Sequence, residues 1–228
     1  MKNKKLAKAT AVCALAGVML IGGAMAYFTD TDTATNEFTV GKVSIDLTEP
    51  GWTPPENITP NQEIKKDPQI TNDGVNSAFV FLQVKVPTKS VITANDNGTK
   101  NPEAVKELFT YQVNEGWVEV GTAADETIEG QTYKVHTYAY GAAEACKAVD
   151  KTVTTSALFN SVKFINVIEG EGLEETQLDV IVDAYGIQTT DINGKKTKPT
   201  DVWAVLHAQT PTVDSVNLPE AGDPDVGA

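Results

Sequence analysis

The side chains best suited to metal or acid–base chemistry are His136 and His207, the two histidines of this 228-residue chain. A zinc peptidase of the His-Glu-x-x-His type places two histidines on one helical face with a glutamate between them. The chain contains no such motif, and neither histidine has a partner at the spacing of a metal-ligand pair. We interpret both as surface or hydrogen-bonded polar residues. The sequence predicts no metal, no cofactor and no catalytic centre, and hence not an enzyme.

Other sequence motifs of catalysis and ion binding are also absent or incomplete. The chain has no Gly-x-Ser-x-Gly elbow and no phosphate-binding glycine loop, although spacing alone does not exclude a serine or cysteine nucleophile. Asp30 and Asp32 resemble the start of a calcium loop, but the loop's sixth position lacks glycine and its twelfth is Gly41. The turn at Gly98 lacks the acidic first and twelfth ligands. We predict no specific calcium site.

The first 26 residues have the pattern of a secretory signal. Four lysines precede an apolar run that reaches Ile21, and small residues follow, with Ala24 and Ala26 at the cleavage positions and Tyr27 as the new N-terminus. The competing interpretation is an uncleaved anchor. The uncharged stretch from Ala9 to Ala26 has 18 residues, the lower limit for a spanning helix, and is diluted by Ala and Gly. We therefore predict cleavage and no stable membrane insertion afterwards.

Charge and cysteine content narrow the function of the exported chain. After cleavage the chain has 14 lysines and 31 acidic residues, which gives a net charge of −17, and it has no arginine. This balance argues against nucleic acid and anionic membranes as partners. Cys146 would be the one remaining cysteine, so no internal disulfide can form. We predict a small buried hydrophobe there, with intermolecular pairing as the alternative.

The segment 27–41 alternates like a β-strand. One face carries Thr29, Thr31, Thr33, Thr35 and Thr39, and the other carries Phe28, Asp30, Asp32, Ala34, Asn36, Phe38 and Val40. Repeated β-branched threonine favours a strand, whereas the two aspartates are also compatible with a disordered leader. Which face would be buried stays open at this point.

The rest of the chain reads as short β-strands with little helix. Strands are predicted at 43–48, 62–71, 78–86, 132–140, 162–168 and 176–188, with a hairpin over 111–120. The strand 62–71 is expected to be interrupted by Pro68 and to lie at an edge. Short helices are predicted at 102–109 and 201–208, and a helical turn at 142–147. Val80, Leu82, Val84 and Val86 should form the centre of the core. The pattern predicts an all-β protein, an antiparallel jelly-roll-like β-sandwich over residues 42–208 with short helical insertions and an acidic flexible tail over 209–228.

Several stretches resemble one known family. They are the signal from Lys2 to Ile21, the junction from Gly22 to Asp30, and Asn36-Glu-Phe-Thr-Val-Gly-Lys-Val-Ser-Ile-Asp-Leu47. The patterns Ile70 to Ala78 and Val182 to Gln188 are also similar. Together they resemble the TasA and camelysin proteins, whose signals are cleaved by the dedicated peptidase SipW. The region 88–160 carries no matching motif.

The resemblance implies a secreted jelly-roll subunit of biofilm-matrix fibres on Gram-positive bacteria. Members polymerise head to tail by donor-strand complementation, in which the strand freed by the signal peptidase fills a groove of the next copy. The resemblance assigns this role to the segment 27–40, specifically Phe28, Thr29, Thr31, Thr33, Thr35, Phe38 and Val40. A sister matrix or anchor protein is a further implied partner. The alternatives are a monomeric adhesin-like surface domain and a camelysin-like metalloprotease.

Overall fold

The computed structural model describes residues 43–55, 57–173, 176–190, 192 and 194–209. The predicted signal, the segment 27–41 and the tail beyond Gln209 lie outside these ranges. The described strands are β1 (Ile45–Thr48), β2 (Glu63–Lys65), β3 (Gln69–Asn72), β4 (Ala78–Val91), β5 (Ala104–Glu107), β6 (Phe109–Tyr111), β7 (Trp117–Glu119), β8 (Ala124–Ile128), β9 (Gln131–Ala142), β10 (Ala145–Cys146), β11 (Ser161–Phe164) and β12 (Ile181–Gln188). One helix, α1 (Pro199–Gln209), follows them.

The larger sheet is built around β4. On one side β4 pairs antiparallel with β12, on the other with β9, and its last four residues pair with β5. Strand β9 in turn pairs with β7, β8 and β10. The β8–β9 hairpin turns through Glu129 and Gly130, which both have positive φ, as a two-residue hairpin turn requires.

The second layer consists of two smaller groups of strands, β1–β3 and β2–β11–β6, all antiparallel. Backbone bonds join the layer to its neighbouring loops, for example from Leu158 N to Pro68 O at 2.9 Å. Side chains of this layer, including Ile70, Val162 and Phe164, share one buried cluster with the inner face of β4. This antiparallel two-layer arrangement confirms the predicted all-β sandwich.

The predicted core residues of β4 are all buried. Val80, Leu82, Val84 and Val86 have no exposed surface and lie in the cluster between the two layers. The opposite face of β4 is buried at Phe79 and Phe81 as well, because α1 packs over it through Val202, Trp203 and Leu206. The N-terminal half of β4 is therefore apolar on both faces. Buried apolar and partly exposed polar residues alternate only further along the strand, at Gln83 and Lys85.

Two predicted helical segments are wrong. Residues 102–109 contain β5, because pairing with residues 88–91 of β4 satisfies the backbone in extended form. Strand β4 itself continues past Pro87 to Val91, beyond the predicted end at Val86. Residues 142–147 contain β10, which pairs with the end of β9. The helix predicted at 201–208 is confirmed as α1.

Two strand assignments also need correction. The predicted hairpin over 111–120 does not exist, because β6 pairs with β11 whereas β7 pairs with β9. The strand 62–71 is interrupted at Pro68 as predicted, but its two parts, β2 and β3, belong to different groups of strands. The strand predicted from Thr176 is regular only from Ile181 onward. Proline lacks the N–H that a continuous ladder needs, which explains the division at Pro68.

Candidate functional site

Two edge strands, β1 and β12, border an opening in the sandwich. Within the described residues, β12 pairs with β4 alone and β1 pairs with β3 alone, so each has a second edge without a strand partner there. The two strands approach each other at Gly186, where an added Cβ would lie 3.1 Å from Cγ2 of Ile45 and 3.4 Å from Cγ1 of Val43.

Apolar side chains along this opening are only partly buried. The register places Val182 opposite Val84 and Ala184 opposite Leu82, so both face the inner cluster. They nevertheless keep intermediate exposure, as do Val43, Ile45 and Leu47 on the β1 side and Leu178 and Val180 before β12. Inward-facing residues of a closed sandwich would be fully buried, as they are on β4. The core is therefore incompletely covered along this side.

A groove with a volume of about 970 Å³ lies beside the segment 176–180, which leads into β12. Its buried floor is formed by Ile64 of β2, Val162 and Phe164 of β11, and Phe109 of β6. The segment 176–180 runs along one wall, where half-buried Leu178 and Val180 alternate with exposed Gln177 and Asp179. Other lining residues are Trp52, Pro54, Pro55, Asn57, Ile58, Pro60, Lys66, Val167, Ile168, Glu169, Leu173 and Thr176.

Lys66 is the cation among the described residues that line the groove, and its charge is already paired. Its ammonium lies 2.7 Å from Oε1 of Glu49 and donates to Oε2 at 2.9 Å. The ring of Trp52 covers it at 5.0 Å from the ring centroid. The Lys66 side chain is 9% exposed. The acids Glu169 and Asp179 are exposed at the groove's rim, so the groove is apolar inside and acidic at its entrance.

A second cavity of about 540 Å³ is lined by His136 together with Glu107 and Glu119. His136 pairs with Val84, which places its ring on the inner face of the larger sheet. Its Nε2 lies 3.0 Å from Oε2 of Glu107, and its Nδ1 lies 2.8 Å from Oε1 of Glu119. Carboxylates only accept hydrogen bonds, so both contacts are hydrogen bonds when both ring nitrogens carry a proton.

Two tyrosines, Tyr111 and Tyr138, also line this second cavity. The hydroxyls of Tyr111 and Tyr138 lie 3.0 Å apart. Burial raises the pKa of Tyr111 strongly, and it raises the pKa of Tyr138 to about 12. Both phenols are therefore protonated at neutral pH and act as hydrogen-bonding groups rather than bases.

The described residues do not fit a catalytic metal. Among them, no group of three or more His, Cys, Asp or Glu side chains could hold an ion. Glu107 and Glu119 bind different nitrogens of His136 and do not converge on one point. His207 lies on α1, stacked on Trp203, and α1 packs on the outer face of the same sheet. Because the sheet separates the two histidines, they cannot ligate one zinc ion.

Cys146 is 8% exposed and packs in the outer cluster beneath α1, as predicted for a small buried hydrophobe. Burial raises the pKa of its thiol to about 12. At neutral pH the group is a protonated thiol rather than the nucleophilic thiolate. It therefore contributes packing and no nucleophile.

Replacing His136 with glutamine is expected to lower the free energy of unfolding by about 1 kcal/mol. The ring joins β9 to β5 and β7 through two carboxylates, but their side chains are 34% and 44% exposed, so solvent weakens both contacts. Urea unfolding at pH 6 measures the effect. The matched control is His207→Gln on the exposed end of α1, which should change stability by less than about 0.5 kcal/mol. Equal effects of the two substitutions would show that the contacts of His136 with Glu107 and Glu119 do not stabilise the fold.

The residues predicted from the sequence for cleavage and polymerisation all lie outside the described ranges. Ala24, Ala26 and Tyr27 belong to the cleavage prediction, and Phe28, Thr29, Thr31, Thr33, Thr35, Phe38 and Val40 to the strand prediction; both stay predictions. The groove itself was missed by sequence reasoning. Its one local signal was the alternation of Leu178 and Val180, which predicted a strand with an inward face.

Comparison with known proteins identifies a family. Residues 1–135, more than half of the chain, match the family described as Camelysin metallo-endopeptidase. No curated protein and no solved structure matches the chain. In the described ranges, no helix is long and apolar enough to cross a bilayer. The match covers the predicted signal, the segment 27–41 and the strands up to the first half of β9, and it agrees with the resemblance noted from the sequence. The chain therefore belongs to the camelysin metallo-endopeptidase family, the camelysin and TasA group.

Proposed function

We propose that this protein is an exported structural subunit of extracellular biofilm-matrix fibres on a Gram-positive bacterium. In this proposal each copy inserts its segment 27–40, freed by a dedicated signal peptidase, into the groove of the next copy. The observation that carries the proposal is the opening between β1 and β12, where inward-facing apolar residues keep intermediate exposure. A sister matrix or anchor protein would be a further partner.

The edge of β12 supports insertion of a strand. An unpaired strand edge presents N–H and C=O groups that an added strand can bond, while alternate side chains of that strand enter the apolar space behind it. Val182, Ala184, Leu178 and Val180 line that space along β12 and the segment before it. An inserted strand would cover them and complete the core.

The length and position of the segment 27–40 fit this role. Fourteen residues in extended form span about 46 Å, and the eight residues of β12 need about 26 Å. The segment ends three residues before Val43, which packs at Gly186 beside the opening. Because donor segment and acceptor groove belong to different copies, the contact is head to tail, and such a contact builds an open filament when the rotation between copies does not close a ring.

Removing residues 27–40 is expected to abolish assembly. Protein beginning at Tyr27 should sediment as filaments visible by electron microscopy, and protein beginning at Gly41 should stay monomeric with the same circular dichroism. A synthetic peptide of residues 27–40 should bind the shortened protein and raise its unfolding temperature, whereas a scrambled peptide should not. Equal polymerisation of both proteins would refute the proposal.

The family description favours a second candidate function, metallo-endopeptidase activity. The described residues lack a fitting metal site, so this candidate rests on the family alone. Casein cleavage by the purified protein that stops with a chelator and returns with zinc would support it. The variants His136→Gln and His207→Gln would then show whether either histidine takes part.

A further inference from the structure

The side chains that line the groove favour one face of the inserted segment over the other. This inference rests on the proposed strand insertion. Between Phe28 and Thr35 the segment offers a threonine face, Thr29, Thr31, Thr33 and Thr35, and an opposite face that carries Phe28, Asp30, Asp32 and Ala34. Because side chains of a strand alternate, only one of these sets can enter the groove over this stretch.

The groove has an apolar floor. Ile64, Val162, Phe164 and Phe109 are all less than 9% exposed, and the walls above them carry Ile58, Leu173, Leu178 and Val180. A carboxylate placed over this floor would lose its hydration without gaining an apolar contact. Such a burial is tolerated in proteins when a cation or several hydrogen-bond donors lie opposite the charge.

The described lining offers no spare cation for that purpose. The Lys66 ammonium already contacts both oxygens of Glu49 and is covered by Trp52. The other charged lining residues, Glu169 and Asp179, are acidic and would repel an inserted aspartate. An aspartate of the inserted strand could pair with Lys66 only by displacing Glu49. The carboxylate of Glu49 would then lose its cation, so the number of unpaired carboxylates would not fall.

Threonine suits the same space better. Its methyl group can contact the apolar floor, its single hydroxyl costs far less to bury than a charge, and its branched Cβ favours the extended backbone. With this face inward, the two aspartates point to solvent, where water and salt screen them from the acidic rim. A charged outer face also discourages a further strand from adding to the filament's side.

We infer that Thr29, Thr31, Thr33 and Thr35 of the inserted segment face the groove of the neighbouring copy, and that Asp30 and Asp32 face solvent. The threonines then determine which strand the groove accepts. The aspartates keep the outer surface of the joint charged and do not contribute to the contact.

Exchanging two neighbouring residues tests this orientation. The double variant Thr31→Asp/Asp32→Thr has the composition, length and net charge of the parent, but moves one carboxylate from the outer to the inner face. We expect its critical concentration for assembly, measured by sedimentation of protein beginning at Tyr27, to rise at least tenfold. The control Asp32→Thr leaves the inner face unchanged and should assemble at the parent's concentration or below it.

The outcomes separate the orientation from the strand-insertion proposal. If the exchange variant assembles like the parent while protein beginning at Gly41 stays monomeric, the orientation is wrong and strand insertion stands. If the exchange variant assembles at a lower concentration than the parent, the aspartate face is the buried one, because the exchange has removed a carboxylate from that face. If protein beginning at Gly41 also assembles, strand insertion itself fails, and the orientation with it. Matching unfolding temperatures of the monomers would show that each variant retains its fold.

Discussion

Replacing Phe81 with alanine is expected to lower the free energy of unfolding by about 3–5 kcal/mol. Phe81 has no exposed surface and lies at the middle of the larger sheet, between Ala139 of β9 and Tyr185 of β12. Its ring contacts Trp203 of α1 at 5.3 Å between centroids. The substitution removes most of this side chain from a space that the rigid sheet cannot close, so a cavity remains beneath the helix.

Chemical unfolding followed by tryptophan fluorescence measures this loss, because Trp203 reports on the same contact. Val105→Ala is the matched control, since Val105 lies in β5 with 71% of its surface exposed and should cost less than about 0.5 kcal/mol. A loss below about 1 kcal/mol for Phe81→Ala would show that α1 does not pack on the sheet as described.

Replacing Gly141 with alanine is expected to cost about 3 kcal/mol. Gly141 has a φ of +142°, a conformation that side chains rarely adopt. A Cβ there would lie 2.5 Å from the carbonyl oxygen of Ala145 and 2.6 Å from the amide nitrogen of Lys147. Both atoms are backbone, so β10 would have to move away from β9 to make room. Thermal and urea unfolding of the variant measure the combined strain and displacement.

The control variant Gly130→Ala measures the cost of backbone strain at a glycine where an added Cβ meets no neighbouring atom. Gly130 also has a positive φ, +85°, but nothing lies within 4 Å of the position its Cβ would occupy. The control should therefore cost only the strain, about 1 kcal/mol. If both substitutions cost the same, the close approach of β10 at Gly141 contributes nothing and the description of that contact is wrong.

Local patterns in the sequence were sufficient for some of these features. The alternation of Val80, Leu82, Val84 and Val86 predicted their burial correctly, because the two-residue period of a strand places every second side chain on one face. The helix over 201–208 was also predicted correctly. Prediction failed at residues 104–107, where short-range preferences favoured a helix but the end of β4 supplies a partner strand.

The candidate groove, too, could be predicted from the sequence only in part. Alternation revealed that Leu178 and Val180 share a face, but not that the face would be left half-covered. That depends on β12 and β1 both lying at edges on the same side of the sandwich, a consequence of long-range pairing. The separation of His136 from His207 likewise follows from which face of the sheet each occupies.

The sequence by itself determined the acidic charge and the all-β class, because these depend on composition and on a period of two residues, and it determined the family through the stretch 1–135 that matches it. The tertiary structure alone decided where the core is left open, that Lys66 is already paired with Glu49, and that the two histidines cannot meet. These features require residues far apart in the chain to come together, and no local pattern records which strands will pair.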